Sequence, residues 1–353
     1  MRLAIAVGVA LAALLAQTSP SVGFVDVALA AGIKDIFYCG GERTKNYIVE
    51  TLGTGAAFID YDNDGNVDLF VVNASRLEGF PPGESPTNHL YRNEGKGTFR
   101  DVTREAGMVH SGWGQGVCAG DYDNDGFIDL FVTYWGHDVL YKNSGKGSFD
   151  DVTEVAGMSG KEVRWGTGCA FVDYNRDGKL DLFVSNYLQF DQKNTPTPDR
   201  PDACKWKGAS VMCGPRGLKG GVNRLWRNDS KPGSVRFTDV SATSKITAPG
   251  ERFSLSATTF DYDRDGWPDI YVAVDSQASI LYRNKRDGTF ADTGLEAGVA
   301  YSEDGREQAG MGTAAGDYDG DGHFDLAKTN FIDDTPNIYR NNADGSFTEM
   351  TSA

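Results

Sequence analysis

Apolar residues occur along this chain in short runs of four to six, and Gly, Asn, Asp and Lys fill the positions between the runs. Runs such as DLFV at 68–71 and DIYV at 269–272 are rich in β-branched and aromatic residues, which is typical of strands. We find no convincing amphipathic helix, and the 44 glycines supply many tight turns. The pattern therefore predicts an all-β fold built from short strands.

Five copies of a nine-residue acidic loop interrupt these runs. They read DYDNDGNVD, DYDNDGFID, DYNRDGKLD, DYDRDGWPD and DYDGDGHFD, and they begin at Asp60, Asp121, Asp173, Asp261 and Asp317. The five starting points lie 61, 52, 88 and 56 residues apart. A second signature alternates with the loop, as in LYRNEGKGTFRDVTREAGM. Regular alternation of two signatures indicates a repeat architecture.

Each repeat unit holds the strands of one four-stranded sheet. A Gly- and Ala-rich strand precedes the acidic loop, an apolar strand follows it, and an LYRN-type and a TFxDV-type strand complete the unit. Because so small a unit cannot bury its hydrophobic faces alone, neighbouring sheets must stack, which predicts a β-propeller of four-stranded blades. The widest gap predicts an insertion at about 187–221. Such an insertion is either a binding surface on one face of the wheel or a tolerated loop.

The acidic loop has the chemistry of a calcium site. Carboxylates at positions 1, 3, 5 and 9 can converge on one point, glycine at position 6 permits a sharp turn, and the backbone carbonyl at position 7 adds an oxygen. The loop is not an EF-hand, because strands flank it and position 12 is Val or Lys where an EF-hand has Glu. We predict up to five Ca²⁺ ions; Mg²⁺ is less favoured because it demands a tighter octahedron.

The predicted ligands share their positions in the loop. Those that bind through side chains at positions 1, 3, 5 and 9 are Asp60, Asp62, Asp64, Asp68, Asp121, Asp123, Asp125, Asp129, Asp173, Asn175, Asp177, Asp181, Asp261, Asp263, Asp265, Asp269, Asp317, Asp319, Asp321 and Asp325. Those that bind through the position-7 carbonyl are Asn66, Phe127, Lys179, Trp267 and His323. One such loop could be an ordinary surface turn, but five copies at the same place in a repeat favour metal binding. The asparagine at position 3 of the third loop removes one charge and predicts weaker binding there.

The net charge of the chain follows from these loops. Its 353 residues include 50 acidic and 34 basic side chains, for a formal charge of −16, and the loops hold 19 of the acidic groups. Without metal, each loop packs like charges closely, so we expect folding to be coupled to calcium. The acidic balance argues against a nucleic acid partner, which would require clustered Lys and Arg.

The first 16 residues have the layout of a secretory signal peptide. Arg2 is followed by an apolar core and then by small residues. The apolar run is short for a membrane span, and no other stretch is long enough. We therefore predict a secreted or periplasmic protein with a cleaved leader and without a membrane span.

The five cysteines give three different expectations. Cys204 and Cys213 lie close together in the insertion and could form a local disulfide after export. Cys118 and Cys169 occupy equivalent places in two repeats and are predicted to be buried small hydrophobic residues. No role is predicted for Cys39.

These motifs resemble those of a known repeat family. The segments that show the resemblance are ETLGTGAAFIDYDNDG from Glu50, CGP at Cys213, DGWPDIYVAVDS from Asp265 and DGREQAGMGTAAGDYDGDG from Asp304, together with the paired LYRN…GTFRDVT and DYDNDGFIDLFV units. The chain resembles the FG-GAP/VCBS-repeat β-propellers, the group that includes the integrin α-subunit headpiece. More closely, it is similar to the cartilage acidic protein and ASPIC/UnbV family. The resemblance covers nearly all of residues 23–353.

The resemblance implies a calcium-binding, seven-bladed propeller in an exported protein. Most members continue into a small C-terminal ASPIC/UnbV module, and the metal ligands implied are the loop residues given above. This sequence has five acidic loops and stops at Ala353, part-way through the second signature, which favours a truncated seven-bladed wheel over a smaller one. The predicted domains are the signal peptide at 1–16 and the propeller at 23–353.

The predicted function is a non-enzymatic binding or adhesion scaffold in which calcium is structural. No nucleophile–base pattern stands out, and the four histidines, His89, His110, His137 and His323, lie in unrelated contexts. The protein or carbohydrate ligand and the oligomeric state are left open.

Two alternative functions stay open. A propeller-type carbohydrate-active enzyme, a glycosidase or a lyase, would place paired carboxylates about 5 to 10 Å apart in its channel. A carbohydrate-binding module is favoured if Trp165, Trp206 or Trp226 cluster on one exposed face. Ordinary strand packing would explain the same tryptophans without a ligand.

Overall fold

The structure, a computed structural model, describes residues 23–160 and 162–351. These residues form 22 strands and one turn of 3₁₀ helix, Ile48–Glu50. The all-β fold predicted from the short apolar runs is therefore confirmed. The predicted signal peptide at residues 1–16 lies outside the described residues.

The strands group into five blades of four. The first blade contains β1 (Ala56–Ile59), β2 (Asp68–Val71), β3 (His89–Asn93) and β4 (Phe99–Asp101). The second contains β5 (Trp113–Gly120), β6 (Asp129–Gly136), β7 (Val139–Asn143) and β8 (Phe149–Asp151). The third, interrupted by the hairpin β11 (Cys204–Trp206) and β12 (Ala209–Val211), contains β9 (Arg164–Val172), β10 (Asp181–Asn186), β13 (Arg224–Asn228) and β14 (Phe237–Asp239). The fourth contains β15 (Ser254–Phe260), β16 (Asp269–Val274), β17 (Ile280–Asn284) and β18 (Phe290–Asp292). The fifth contains β19 (Gly310–Gly316), β20 (Asp325–Asn330), β21 (Asn337–Asn341) and β22 (Phe347–Glu349).

Every blade is an antiparallel meander in which the strands pair in chain order. In the first blade, for example, Phe58 on β1 faces Leu69 on β2. The second and third blades are also joined edge to edge, because Trp135 on β6 pairs with Trp165 on β9. The predicted four-stranded repeat is thus the structural unit.

The first strands of the blades lie side by side in the order β1, β5, β9, β15 and β19. Their backbones approach closely, which explains the small residues in these strands. A Cβ atom built on Gly168 of β9 would lie 2.5 Å from the carbonyl oxygen of Leu255 on β15. Glycine at this position therefore permits the third and fourth blades to pack.

Apolar layers between neighbouring blades form the core. Phe70 and Val132 are fully buried between the first two blades, and Tyr271 and Tyr339 between the last two. The ends of the row are less covered, since Phe58 on β1 is 71% exposed. The described residues therefore form an open, curled row of propeller blades.

Two disulfides tie the structure together. Cys204 and Cys213 are bonded within the insertion, as predicted. The prediction for Cys118 and Cys169 is wrong, because these half-buried residues form a second disulfide, with their Cα atoms 5.7 Å apart. The physical reason is that equivalent positions on two adjacent first strands come within bonding distance. Cys39 is a free cysteine.

The insertion leaves the third blade after β10 and returns before β13. Its base is closed by a bridge between Leu188 and Gly220, and Tyr187 is fully buried with its hydroxyl donating to Asp275 Oδ2 at 2.6 Å. The β11–β12 hairpin forms a separate two-stranded sheet within the insertion, and its residues are half-buried or exposed. Within the described part of the chain, no helix reaches the length and apolar character that a membrane crossing requires.

Candidate metal centre

The acidic loop joins the first and second strands in all five blades. In the first loop, the two oxygens of Asp60 accept hydrogen bonds from the backbone N–H groups of Asp64 and Gly65, each at 3.0 Å. Gly65 has a φ of +86°, in the left-handed region that favours glycine. The position-1 aspartates that make the same pair of contacts in the other blades are Asp121, Asp173, Asp261 and Asp317. The sequence thus shapes each loop locally.

The position-9 aspartate anchors the loop to its blade. Asp68 is fully buried, and its oxygens accept from the backbone N–H of Tyr61 at 3.1 Å and of Asn93 at 2.7 Å. The equivalent buried aspartates are Asp129, Asp181, Asp269 and Asp325. A carboxylate that is out of water and close to others of its kind favours a cation nearby.

The structure brings predicted ligands together in four of the loops. In each, three carboxylate oxygens lie within 4.8 Å of one another. The groups are Asp60, Asp62 and Asp68; Asp121, Asp123 and Asp129; Asp261, Asp263 and Asp265; and Asp317, Asp319 and Asp325. The third loop gives no such carboxylate group, because its position 3 is an asparagine.

At position 5, one carboxylate oxygen bonds the backbone within its own loop. Asp64 Oδ1 accepts the backbone N–H of Asn66 at 2.8 Å, and this turn recurs in every loop. Only in the fourth blade does the position-5 residue, Asp265, join the group of close oxygens. The position-7 residues thus donate their N–H groups inside the loop, and ligation by their carbonyls stays a prediction.

Within the described ranges, several loop carboxylates have a buried oxygen without a hydrogen-bond donor, as expected for a site that fits a cation. Asp62 Oδ1, Asp123 Oδ1 and Asp181 Oδ2 are buried and have no hydrogen-bond partner among the described residues. Burial raises the pKa of Asp129 and Asp269 to about 8, assisted by neighbouring carboxylates of the same loops. Burial penalises the ionised form, and a cation held by the loop would remove that penalty. The residues fit a hard, oxygen-preferring ion.

The sequence prediction missed a basic residue on the third strand of each blade. Arg92 Nε lies 2.9 Å from Asp62 Oδ2, and Arg92 Nη2 lies 3.0 Å from Asp64 Oδ2. We name this position the third-strand cation; its members are Arg92, Lys142, Arg227, Arg283 and Arg340. The signal was present in the sequence, because a basic residue precedes Asn in all five copies of the second signature.

The asparagine that follows this cation, the third-strand asparagine, links neighbouring blades. In the second blade, Asn143 Nδ2 donates to the carbonyl of Tyr61 in the preceding loop at 2.8 Å, and Asn143 N donates to Asp129 Oδ1 at 2.7 Å. Three further asparagines bond the preceding loop in the same way: Asn228, Asn284 and Asn341. Hydrogen bonds therefore run from loop to loop along the row.

A separate polar group surrounds His89. Its Nδ1 lies 2.7 Å from Asp101 Oδ2 and 3.7 Å from Asp35 Oδ2. In the third blade the same cross-strand place holds the ion pair Arg224–Asp239, at 3.2 Å. The His89 group is thus one version of a recurring pair between the third and fourth strands.

The tryptophans do not share one exposed face. Trp165 is buried, Trp226 is half-buried, and only Trp206, on the insertion hairpin, is 43% exposed. The condition set for a carbohydrate-binding face built from these three residues is therefore not met.

A cavity of about 1140 Å³ opens beside the insertion. Its lining includes Trp135, Phe190, Arg164, Arg224 and Asp239. Burial lowers the pKa of Arg224, and the positive charge of the nearby Arg164 lowers it further. The cavity combines aromatic rings with paired charges.

Comparisons with known proteins agree with the repeat. A family model of FG-GAP-like repeats matches residues 60–132, 121–184 and 261–327. Cartilage acidic protein 1 of Mus musculus is 26% identical over 307 residues, which cover 85% of this chain and 40% of that protein. The Homo sapiens protein is 27% identical over 282 residues, covering 78% and 37% respectively. The chain thus spans about two fifths of the length of these relatives.

Solved structures give more remote likenesses. An Agrocybe aegerita lectin that recognises non-reducing terminal N-acetylglucosamine has a TM-score of 0.44 and 16% identity, covering 84% of this chain and 66% of that chain. The V. cholerae biofilm matrix protein Bap1 has a TM-score of 0.41 and 13% identity, covering 89% and 42%.

Proposed function

Since the chain belongs to the FG-GAP-like repeat family, we propose that it is an exported calcium-binding repeat protein that acts as a non-enzymatic binding scaffold. Calcium in the acidic loops is structural: it neutralises the carboxylates that join the first two strands of each blade. Ca²⁺ is preferred over Mg²⁺ because the loops offer several carboxylate oxygens in a flexible geometry.

One observation carries this proposal. The buried oxygens of Asp62 and Asp123, at loop position 3, and of Asp181, at position 9, lack hydrogen-bond partners among the described residues. An unpaired buried carboxylate oxygen costs stability, and its occurrence in the acidic loops of three neighbouring repeats favours a shared ligand. A divalent cation supplies the missing partner.

Calcium removal is expected to lower the thermal stability of the chain. Saturating Ca²⁺ should raise Tm by about 10 °C or more over the chelated protein, because each occupied site adds stability by mass action. Thermal unfolding with CaCl₂, with MgCl₂ and with EGTA measures the effect. Mg²⁺ serves as the control and should give a smaller rise. A Tm that chelation leaves unchanged would falsify the proposal.

Export is supported by the two disulfides, since such bonds persist in oxidising compartments. The predicted leader at 1–16 would direct the chain there. Sequencing the N-terminus of protein recovered outside the cytoplasm should show that these residues are absent; recovery of the uncleaved chain from the cytoplasm would contradict export.

The cavity beside the insertion favours carbohydrate as a second candidate, bound without being cleaved. Its aromatic rings and its side chains that donate and accept hydrogen bonds suit a sugar. Arg164→Gln should weaken binding on a glycan array about tenfold, because it removes a charged donor. Arg216→Gln, outside the cavity lining, is the control and should leave binding unchanged. Equal binding by both variants would exclude the cavity as the sugar site.

A further inference from the structure

The third-strand cation pairs with the acidic loop of its own blade in some blades and not in others. In the first, second and fourth blades it pairs with the position-3 carboxylate of its own loop: Arg92 with Asp62, Lys142 with Asp123 and Arg283 with Asp263. In the fourth blade the Arg283 Nη2 to Asp263 Oδ2 distance is 2.6 Å, and the Asp263 side chain is 10% exposed. Three loops thus already contain one positive charge of the protein.

The fourth loop receives a second positive charge. Arg286 lies in the turn after β17, and its Nε donates to Asp265 Oδ2 at 2.8 Å. Asp265 belongs to the group of close carboxylate oxygens in this loop, and its side chain is 8% exposed. The four aspartates of the fourth loop are therefore half neutralised by two arginines.

The third and fifth blades provide internal comparisons. Where position 3 is Asn175, Arg227 turns away from the loop and pairs with Asp229, with Nε 2.8 Å from Oδ1. In the fifth blade, Arg340 is exposed and forms no ion pair within the described residues, although position 3 is Asp319. Arg264 of the fourth blade approaches Gly322 but likewise pairs with none of the fifth loop's carboxylates. The fifth loop keeps four uncompensated aspartates.

The shape of the loop does not depend on the cation. The hydrogen bonds from the loop backbone to the position-1 carboxylate are the same in the third and fifth blades, which lack the ion pair, as in the first. Removing the cation therefore changes the charge of the site more than its geometry. Repulsion between Ca²⁺ and a guanidinium a few ångströms away is large even near water.

We propose that the third-strand cations grade the calcium affinity of the loops, with the fourth loop the weakest of the four that carry four aspartates and the fifth the tightest. This rests on the proposed calcium function and adds to it an order of filling. The same cations act as counter-ions that stabilise the metal-free first, second and fourth loops.

A calcium titration of the full chain tests the grading. Arg283→Gln should tighten the fourth-loop site about tenfold, because it removes one unit of repulsion. Lys142→Gln in the second blade should shift its site in the same direction. Arg227→Gln is the matched comparison, since it has the same strand position but pairs with Asp229 outside the loop, and its isotherm should shift much less than that of Arg283→Gln. Asp319→Asn should remove or weaken the tightest class.

Thermal unfolding gives a second readout. Arg283→Gln should lower Tm in EGTA more than in CaCl₂, while Arg227→Gln should change both equally. Weaker or unchanged calcium binding in Arg283→Gln and Lys142→Gln, or equal Tm losses in the two buffers, overturns the grading. Calcium uptake that is identical in all variants overturns only this inference. A parent chain that takes up no calcium at millimolar concentration overturns the proposed function as well.

Discussion

Asn228→Ala is expected to lower the free energy of unfolding by about 4 kcal/mol, because two buried carbonyls lose their donor. Asn228 is 1% exposed, and its Nδ2 donates to the carbonyl of Tyr122 in the preceding blade at 2.8 Å and to that of Leu180 in its own at 3.0 Å. Denaturant unfolding in saturating calcium measures the loss without interference from metal binding.

The first blade supplies a matched control. Asn93 occupies the same strand position, but it is half-buried, and among the described residues its Nδ2 bonds only the carbonyl of Val67 in its own blade. Asn93→Ala should cost about 1 kcal/mol, the net value of one partly exposed hydrogen bond. Equal losses for the two variants would show that the bond between blades has no special weight.

Removing the disulfide between Cys118 and Cys169 is expected to cost about 4 kcal/mol, because it frees the unfolded chain from a closed loop of 51-residue separation. The double variant Cys118→Ala, Cys169→Ala should therefore unfold at a lower denaturant concentration. The bond also joins the second and third blades at their first strands, where the backbones pack most closely.

The disulfide of the insertion provides the comparison. Cys204 and Cys213 are nine residues apart and enclose the turn of the β11–β12 hairpin, whose residues are half-buried or exposed. Cys204→Ala with Cys213→Ala should loosen this hairpin and leave the main unfolding transition nearly unchanged. If the two double variants lose the same stability, the bond between blades does not limit global unfolding.

Much of the fold could be predicted because the repeat is explicit in the sequence. Short apolar runs, turn residues and five acidic loops define a blade without reference to distant contacts. The Cys118–Cys169 bond could not be predicted in this way. Its partners are equivalent residues of two units, and whether equivalent positions approach depends on how closely the first strands pack.

The candidate site was predicted only in part for a similar reason. Spacing alone selected Asp60, whose hydrogen bonds are local to its own loop. It did not identify Arg92 or Asn143, whose partners lie across the blade or in the preceding blade. The recurrence of both residue types in every repeat is visible in the sequence. Their roles could not be predicted, because each role depends on which residues of another strand or blade lie next to them.

The third-strand asparagine gives the row a polarity. Each blade from the second to the fifth donates an amide to the blade before it, and the loop tyrosines of the first four blades offer their carbonyls to the blade after them. A tandem duplication of one repeat unit in the gene therefore copies both halves of this joint. The new blade can enter between two existing blades, because it carries both an asparagine amide for the blade before it and a tyrosine carbonyl for the blade after it.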